Sequence, residues 1–197
     1  MTVAPLGAVL AGGRSSRFGA PKALAELAGR TLAERAVDAV AAAGLEPAVV
    51  AREHSPLPPA LTARVLHDPP GPIHPLRAIA TALAEGRAAV VLACDLPFVP
   101  PPLLAWLGEL PDPLAVIEVA GRPQPLLGRY TPALAAELAT AADRGEAAGE
   151  AVLRLGARRI GEPELRRFGD PGTIAFNVNR PEDLATAEEL IARAELR

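Results

Sequence analysis

Of the 20 basic residues in this 197-residue chain, Lys22 is the single lysine and all the others are arginines. It closes the stretch Leu10-Ala11-Gly12-Gly13-Arg14-Ser15-Ser16-Arg17-Phe18-Gly19-Ala20-Pro21-Lys22, which holds two of the chain's three serines. Adjacent glycines let backbone amides turn toward a ligand and let that ligand approach closely. Arg14, Arg17 and Lys22 add positive charge and the serines add hydroxyl donors, so the stretch suits a phosphate. Lysine offers a compact ammonium on a flexible stem, whereas the guanidinium of arginine is a fixed planar fork.

Carboxylates form the second chemical set. Asp95 directly follows the apolar run Ala88–Cys94, so it stands where a buried strand ends. One carboxylate there can hold Mg2+, which binds through one or two carboxylates plus phosphate oxygens. Asp68, in His67-Asp68-Pro69-Pro70-Gly71-Pro72, reads on chemistry alone as a turn aspartate before proline. Cys94 should face the other side of the strand from Asp95, and no histidine is placed to activate its thiol, so it reads as a small buried residue. His54, His67 and His74 have no metal-ligand spacing. The rare amides complete the set: Asn177 and Asn179 are the only asparagines and Gln124 the only glutamine. An amide can donate to a phosphate and accept from a heterocyclic base with one side chain, although Asn179 also suits a helix cap before Pro181.

The elements that must position these groups alternate in type. Leu6–Ala11 reads as a buried strand ending at the glycines, and Ala88–Cys94 as the clearest buried strand of the chain. Thr31–Ala43 reads as a helix opening on a capping box, Thr31 with Glu34, and closing at Gly44. Pro47–Arg52 and Ala63–His67 are expected strands, and Leu76–Glu85 is an expected helix. A short helix is expected through Trp106, and a hairpin of Leu114–Val119 with Gln124–Arg129 about Gly121-Arg122. Thr131-Pro132 opens another helix, a further one lies near Val152, Thr173–Val178 is expected to be a strand, and Pro181–Glu195 a terminal helix. Strands alternating with helices imply an α/β fold: a three-layer α/β/α sandwich with a Rossmann-like, mostly parallel sheet and an antiparallel hairpin excursion. No composition break divides the chain, so residues 1–197 are expected to form one domain.

Composition narrows the function classes. A net charge of −3 and six aromatic residues leave no basic stripe or stacking platform for nucleic acid. No run reaches the roughly 20 apolar residues of a membrane span, and the start lacks the basic region of a secretory signal. One cysteine excludes an internal disulfide and a thiolate zinc cluster. A cytoplasmic protein is expected.

The phosphate stretch is neither G-x-G-x-x-G nor a P-loop, because Gly19 is followed by Ala20-Pro21 before the lysine and Ala23 stands after it. It resembles the signature of nucleotidyltransferases that activate sugars, isoprenoid precursors and the molybdenum cofactor, L-A-[GA]-G-x-[SG]-x-R-[MF]-G-x-x-K, at every specified position. Ala93-Cys94-Asp95-Leu96-Pro97-Phe98-Val99 and the tail Phe176-Asn177-Val178-Asn179-Arg180-Pro181-Glu182-Asp183-Leu184 resemble the molybdenum cofactor guanylyltransferase branch, the MobA-like nucleotidyltransferases. That branch usually carries G-P-L-A-G where this chain has Gly71-Pro72-Ile73-His74-Pro75, and threonine in place of Arg180.

The resemblance implies Mg-dependent transfer of GMP from GTP to the phosphate of molybdopterin-type cofactor, with release of pyrophosphate. It implies that Leu10, Ala11, Gly12 and Gly13 hold the nucleotide and that Lys22, helped by Arg17, offsets phosphate charge. Asp95 would carry Mg2+, Asp68 would help place the nucleotide, and Asn177 and Asn179 would border the acceptor. Proteins that deliver or receive the cofactor are further partners compatible with it. A cytidylyltransferase of the same cofactor stays open: its loop usually reads L-A-A-G, often with G-x-P-K, and this chain has Gly12-Gly13 but also Pro21. Sugar and isoprenoid nucleotidyltransferases, or a non-catalytic nucleotide or cofactor carrier on the same fold, are the remaining alternatives.

Overall fold

The computed structural model describes residues 4–12 and 18–195. Strand β1 (Leu6–Leu10) is buried along its whole length. A small antiparallel hairpin follows, β2 (Glu26–Leu27) with β3 (Arg30–Thr31), and leads into helix α1 (Leu32–Ala42). The α1 capping box is complete: the Glu34 amide donates to Thr31 Oγ1 at 3.2 Å, and Glu34 Oε2 accepts from the Thr31 amide at 2.9 Å. Hydrogen bonds from Thr31 hold the Glu34 carboxyl below its usual range.

The chain continues through β4 (Glu46–Ala51), β5 (Arg64–His67), α2 (Pro75–Leu83), β6 (Ala89–Ala93) and α3 (Pro101–Glu109). Then come the hairpin β7 (Leu114–Val119) and β8 (Arg122–Tyr130), helices α4 (Ala135–Asp143) and α5 (Ala148–Arg154), and β9 (Arg158–Ile160). Two four-residue helices, α6 (Glu162–Leu165) and α7 (Pro171–Ile174), precede the long α8 (Pro181–Glu195). At the hairpin tip Ala120 and Gly121 both take positive φ, 51° and 70°, as a two-residue turn matched to strand twist requires.

Seven strands form one sheet in the order β5-β4-β1-β6-β8-β7-β9. β5, β4, β1 and β6 run parallel, β8 is antiparallel to both β6 and β7, and β9 returns parallel to β7. Side chains alternate between two apolar layers, as the two-residue period of a strand dictates. Val9, Val49 and Leu92 face α1 and α3, while Leu10, Val50 and Val91 face α2 and α4. The expected α/β sandwich is therefore what the chain forms. A third, smaller cluster of Phe18, Leu27, Leu32, Val178 and Ala187 fastens α8 beside the β2–β3 hairpin.

The topology also locates a crevice. After β1 the chain passes α1 on one face to reach β4; after β5 it crosses by α2 on the other face to reach β6. Strand order thus reverses at β1, and ligands of open α/β sheets bind at the carboxyl ends of strands at such a point.

One expected element is corrected. Thr173–Val178 is not a strand: its first residues belong to α7 and the rest is irregular. Asp170 supplies the reason, because its Oδ2 accepts from the Thr173 amide at 2.7 Å while Pro171 occupies the first helical position. Beyond α7, the Val178 amide donates to the Asp95 carbonyl at 2.9 Å, so a tertiary contact replaces a ladder. The two-residue strands β2 and β3 were not expected either.

Candidate active site

β1 and β6 end side by side, with Leu10 opposite Ala93 in register. The Cys94 amide donates to the Leu10 carbonyl at 3.2 Å, and the Ala11 amide to the Val50 carbonyl at 3.0 Å, so both strand exits are fixed against their neighbours. Gly12 and Asp95 therefore leave the sheet next to each other. A side chain at Gly12 would meet the β4 backbone, with Ala51 Cα 3.5 Å from the Cβ position, so the loop lies close against that strand.

Lys22 reaches this point from a short 3-10 turn, Lys22–Leu24, closed by the Ala25 amide donating to the Lys22 carbonyl at 3.0 Å and anchored by buried Ala23. Lys22 Nζ lies 2.9 Å from Asp95 Oδ2, and each side chain is 18% exposed. The same ammonium donates to Asn179 Oδ1, also at 2.9 Å. Asn179 is held in turn by Asp183, whose Oδ2 accepts from the amides of Asn179 and Arg180 at 2.7 and 2.8 Å. Loop, strand end and tail therefore converge on one ammonium.

A cavity of about 350 Å3 opens here, walled by Leu10, Ala11, Gly12, Lys22, Asp68 and Asp95, together with Ile73, His74, Pro75 and Leu126. Six of the residues singled out from the sequence thus share one wall system. Asn179 joins them through Lys22; Asn177 is not among the described lining residues, and its Oδ1 is buried without a hydrogen-bond partner. Gly13 and Arg17, with Arg14, Ser15 and Ser16, lie outside the described residues.

Asp68 sits at the end of β5, its amide donating to the Ala51 carbonyl at 2.9 Å. Its Oδ1 accepts from the Thr81 hydroxyl of α2 at 2.7 Å. Burial pushes this carboxyl above its usual range, against the pull of the Thr81 hydrogen bond and of Arg52 and Arg77. Cys94 is 6% exposed and burial pushes its thiol up to about 12, so it stays protonated at neutral pH and is no nucleophile.

The donor set suits a divalent cation. Asp95 Oδ1 is buried and has no hydrogen-bond partner, while Oδ2 is occupied by Lys22. A buried carboxylate oxygen without a partner is costly unless something charged meets it. Among the described residues no cluster of three metal-ligating side chains exists. A single carboxylate beside a glycine-bearing loop suits Mg2+, which takes most of its ligands from phosphates and water.

Sequence reasoning missed four contributors. Thr81 meets Asp68 through a hydrogen bond that no local spacing reveals, whereas Asp183 holds the Asn179 and Arg180 amides at the local spacing of a helix start. His74 and Leu126 line the cavity from α2 and β8, and Leu126 does so in place of Gln124, whose Nε2 only reaches the Arg122 carbonyl at 3.5 Å. The one available signal was that Ile73-His74-Pro75 departs from the branch pattern.

Comparisons with known proteins supply the family. Residues 7–162 match the model of the MobA-like NTP transferase domain. A molybdenum cofactor guanylyltransferase of Cereibacter sphaeroides is 37% identical over 95% of this chain and 97% of its own length. A probable molybdenum cofactor guanylyltransferase of Opitutus terrae is 34% identical over 90% and 91%. Among solved structures, molybdopterin-guanine dinucleotide biosynthesis protein A from Archaeoglobus fulgidus superposes with a TM-score of 0.81 at 27% identity, covering 94% of this chain and 98% of that one. With a buried strand ending in a glycine loop, a lysine on an aspartate and a tail that closes on both, the chain belongs to the MobA-like NTP transferase family.

Proposed function

We propose that this chain transfers GMP from GTP to the phosphate of the molybdenum cofactor and releases pyrophosphate. The observation that carries this reading is the Lys22–Asp95 pair in the wall of a cavity that also includes the Gly12 loop. The relatives named as guanylyltransferases, matched over nearly their full length, support the choice of base and acceptor.

In this reaction an oxygen of the acceptor phosphate attacks the α-phosphorus of GTP. A new P–O bond forms there as the bond to the β-phosphate bridging oxygen breaks, and pyrophosphate carries away the electron pair. Bound Mg2+ neutralises phosphate oxygens, and Asp95 through Oδ1 is the residue that would hold it. The backbone of Leu10, Ala11, Gly12 and Gly13 lies along the nucleotide, with the Ala11 amide kept by the Val50 carbonyl. Lys22 moves from Asp95 toward the phosphates and balances the charge that builds on the leaving pyrophosphate. Arg17 assists from the same loop. Asp68 places the nucleotide, and Asn177 and Asn179 border the acceptor. No covalent intermediate is required, so positioning and electrostatics account for the rate.

The test is direct. Purified protein is incubated with α-labelled GTP, Mg2+ and molybdenum cofactor, and label on the cofactor and free pyrophosphate are measured. Equal amounts of both are expected, with CTP a poor donor. Preference for CTP would move the chain to cytidylyl transfer, and no transfer from any nucleotide would reject the enzyme reading.

A further inference from the structure

The N-terminus of α2 points into the active-site cavity, yet its backbone offers no amide to a ligand. Pro75, the first helical residue, has no N–H. The Leu76 amide donates to His74 Nδ1 at 3.3 Å, and the amides of Arg77 and Ala78 donate to the His74 carbonyl at 3.1 and 3.3 Å. His74 is thus the cap of this helix, with the imidazole in the place usually taken by a short oxygen-bearing side chain.

That hydrogen bond fixes the ring. With Nδ1 accepting, the neutral imidazole carries its proton on Nε2. His74 itself lines the cavity. Among the described lining residues the charged side chains are Lys22, Asp68 and Asp95, one cation against two carboxylates. A nucleotide triphosphate and an acceptor phosphate both bring several negative charges, and among the described lining residues His74 is the one further nitrogen-bearing side chain.

We infer that His74 is a substrate-contacting residue, donating from Nε2 to a phosphate oxygen at the end of α2 where Pro75 has removed the backbone donor. The inference rests on the guanylyltransferase reading. The phosphate belongs either to the nucleotide or to the acceptor, and the two are separable by experiment.

His74→Ser keeps a side-chain oxygen to cap α2 but removes the ring donor, whereas His74→Ala removes both. Three quantities are measured for wild type and both variants: melting temperature, calorimetric Kd for GTP with Mg2+, and KM for molybdenum cofactor at saturating GTP. His74→Ser is expected to melt with the wild type and His74→Ala below it. Both variants should lose about tenfold in affinity for one substrate, the loss expected of one hydrogen bond to a charged group. A loss in Kd for GTP assigns the contact to the nucleotide, and a loss in KM for the cofactor assigns it to the acceptor. If His74→Ser matches the wild type for both substrates, His74 only caps the helix and the inference is wrong. Wild-type protein that binds no GTP would instead remove the guanylyltransferase reading, and this inference with it.

Discussion

The two walls of the cavity hold their carboxylates by different means. On the β6 side, Asp95 meets the Lys22 ammonium at 2.9 Å, and Asn179 shares that ammonium. On the β5 and α2 side, Asp68 meets the Thr81 hydroxyl at 2.7 Å, and burial raises its pKa. One wall is built to keep charge and exchange it with a ligand. The other places a carboxyl by neutral hydrogen bonding and tolerates its charge at a cost. The difference separates a group suited to metal and phosphate from one suited to orienting a sugar or base.

Removing the charge of the first wall should have the largest effect. Lys22→Ala is expected to lower kcat/KM for GTP by about 100-fold or more, the scale of losing a preorganised electrostatic donor. Lys22→Arg should recover only part of this, because a planar fork cannot repeat the contacts of an ammonium to both Asp95 and Asn179. Steady-state kinetics would show it, and full activity in Lys22→Arg would mean that only charge matters at this position.

A smaller effect is expected where the tail meets that wall. Asn179→Ala removes one hydrogen bond to Lys22 and leaves the ion pair standing, so kcat/KM should fall by roughly tenfold. Asp183→Ala, which frees the Asn179 and Arg180 amides, should act in the same direction. A double-mutant cycle tests this: coupling between the two substitutions is the expected result, and simple additivity would show that Asp183 does not act through Asn179.

The neutral wall makes its own prediction, in stability. Because the folded pKa of Asp68 lies above its ordinary value of 3.8, the native state binds the proton more tightly than the unfolded chain. Asp68 therefore costs stability as pH rises from the ordinary carboxylate range through the folded pKa. Asp68→Asn should be more stable than the wild type at neutral pH and lose that advantage below the ordinary range. Urea unfolding at several pH values measures this, and an advantage independent of pH would contradict the burial of an ionised Asp68. Smallest of all, Thr81→Val removes the hydroxyl that donates to the Asp68 carboxyl and should cost about 1.5 kcal/mol in the same urea measurement.

Much of this contrast was legible in the amino-acid order, and the charged wall more than the neutral one. β1 and β6 announce themselves as unbroken apolar runs, and Gly12 and Asp95 follow them directly, so two local patterns place the centre of the site. The capping box of α1 and the turn at Gly121 are equally local. The tail was misread because Thr173-Ile174-Ala175-Phe176 has the β-branched and apolar character of a strand. Asp170 and Pro171 instead cap a helical turn, and the rest is pinned by a long-range bond to the Asp95 carbonyl. The neutral wall depends on Thr81 and His74, both presented by α2 from a crossover on the far face of the sheet. No spacing along the chain shows that these residues meet Asp68 or the cavity.

The measurement that bears most directly on the charged wall is calorimetric binding of GTP with and without Mg2+, in wild type and in Asp95→Asn. If Asp95 holds the metal through its unpartnered oxygen, Mg2+ will strengthen binding to the wild type by about tenfold or more, and that gain will disappear in Asp95→Asn. The same dependence on Mg2+ in both proteins would contradict it, and would leave Asp95 as no more than the partner of Lys22.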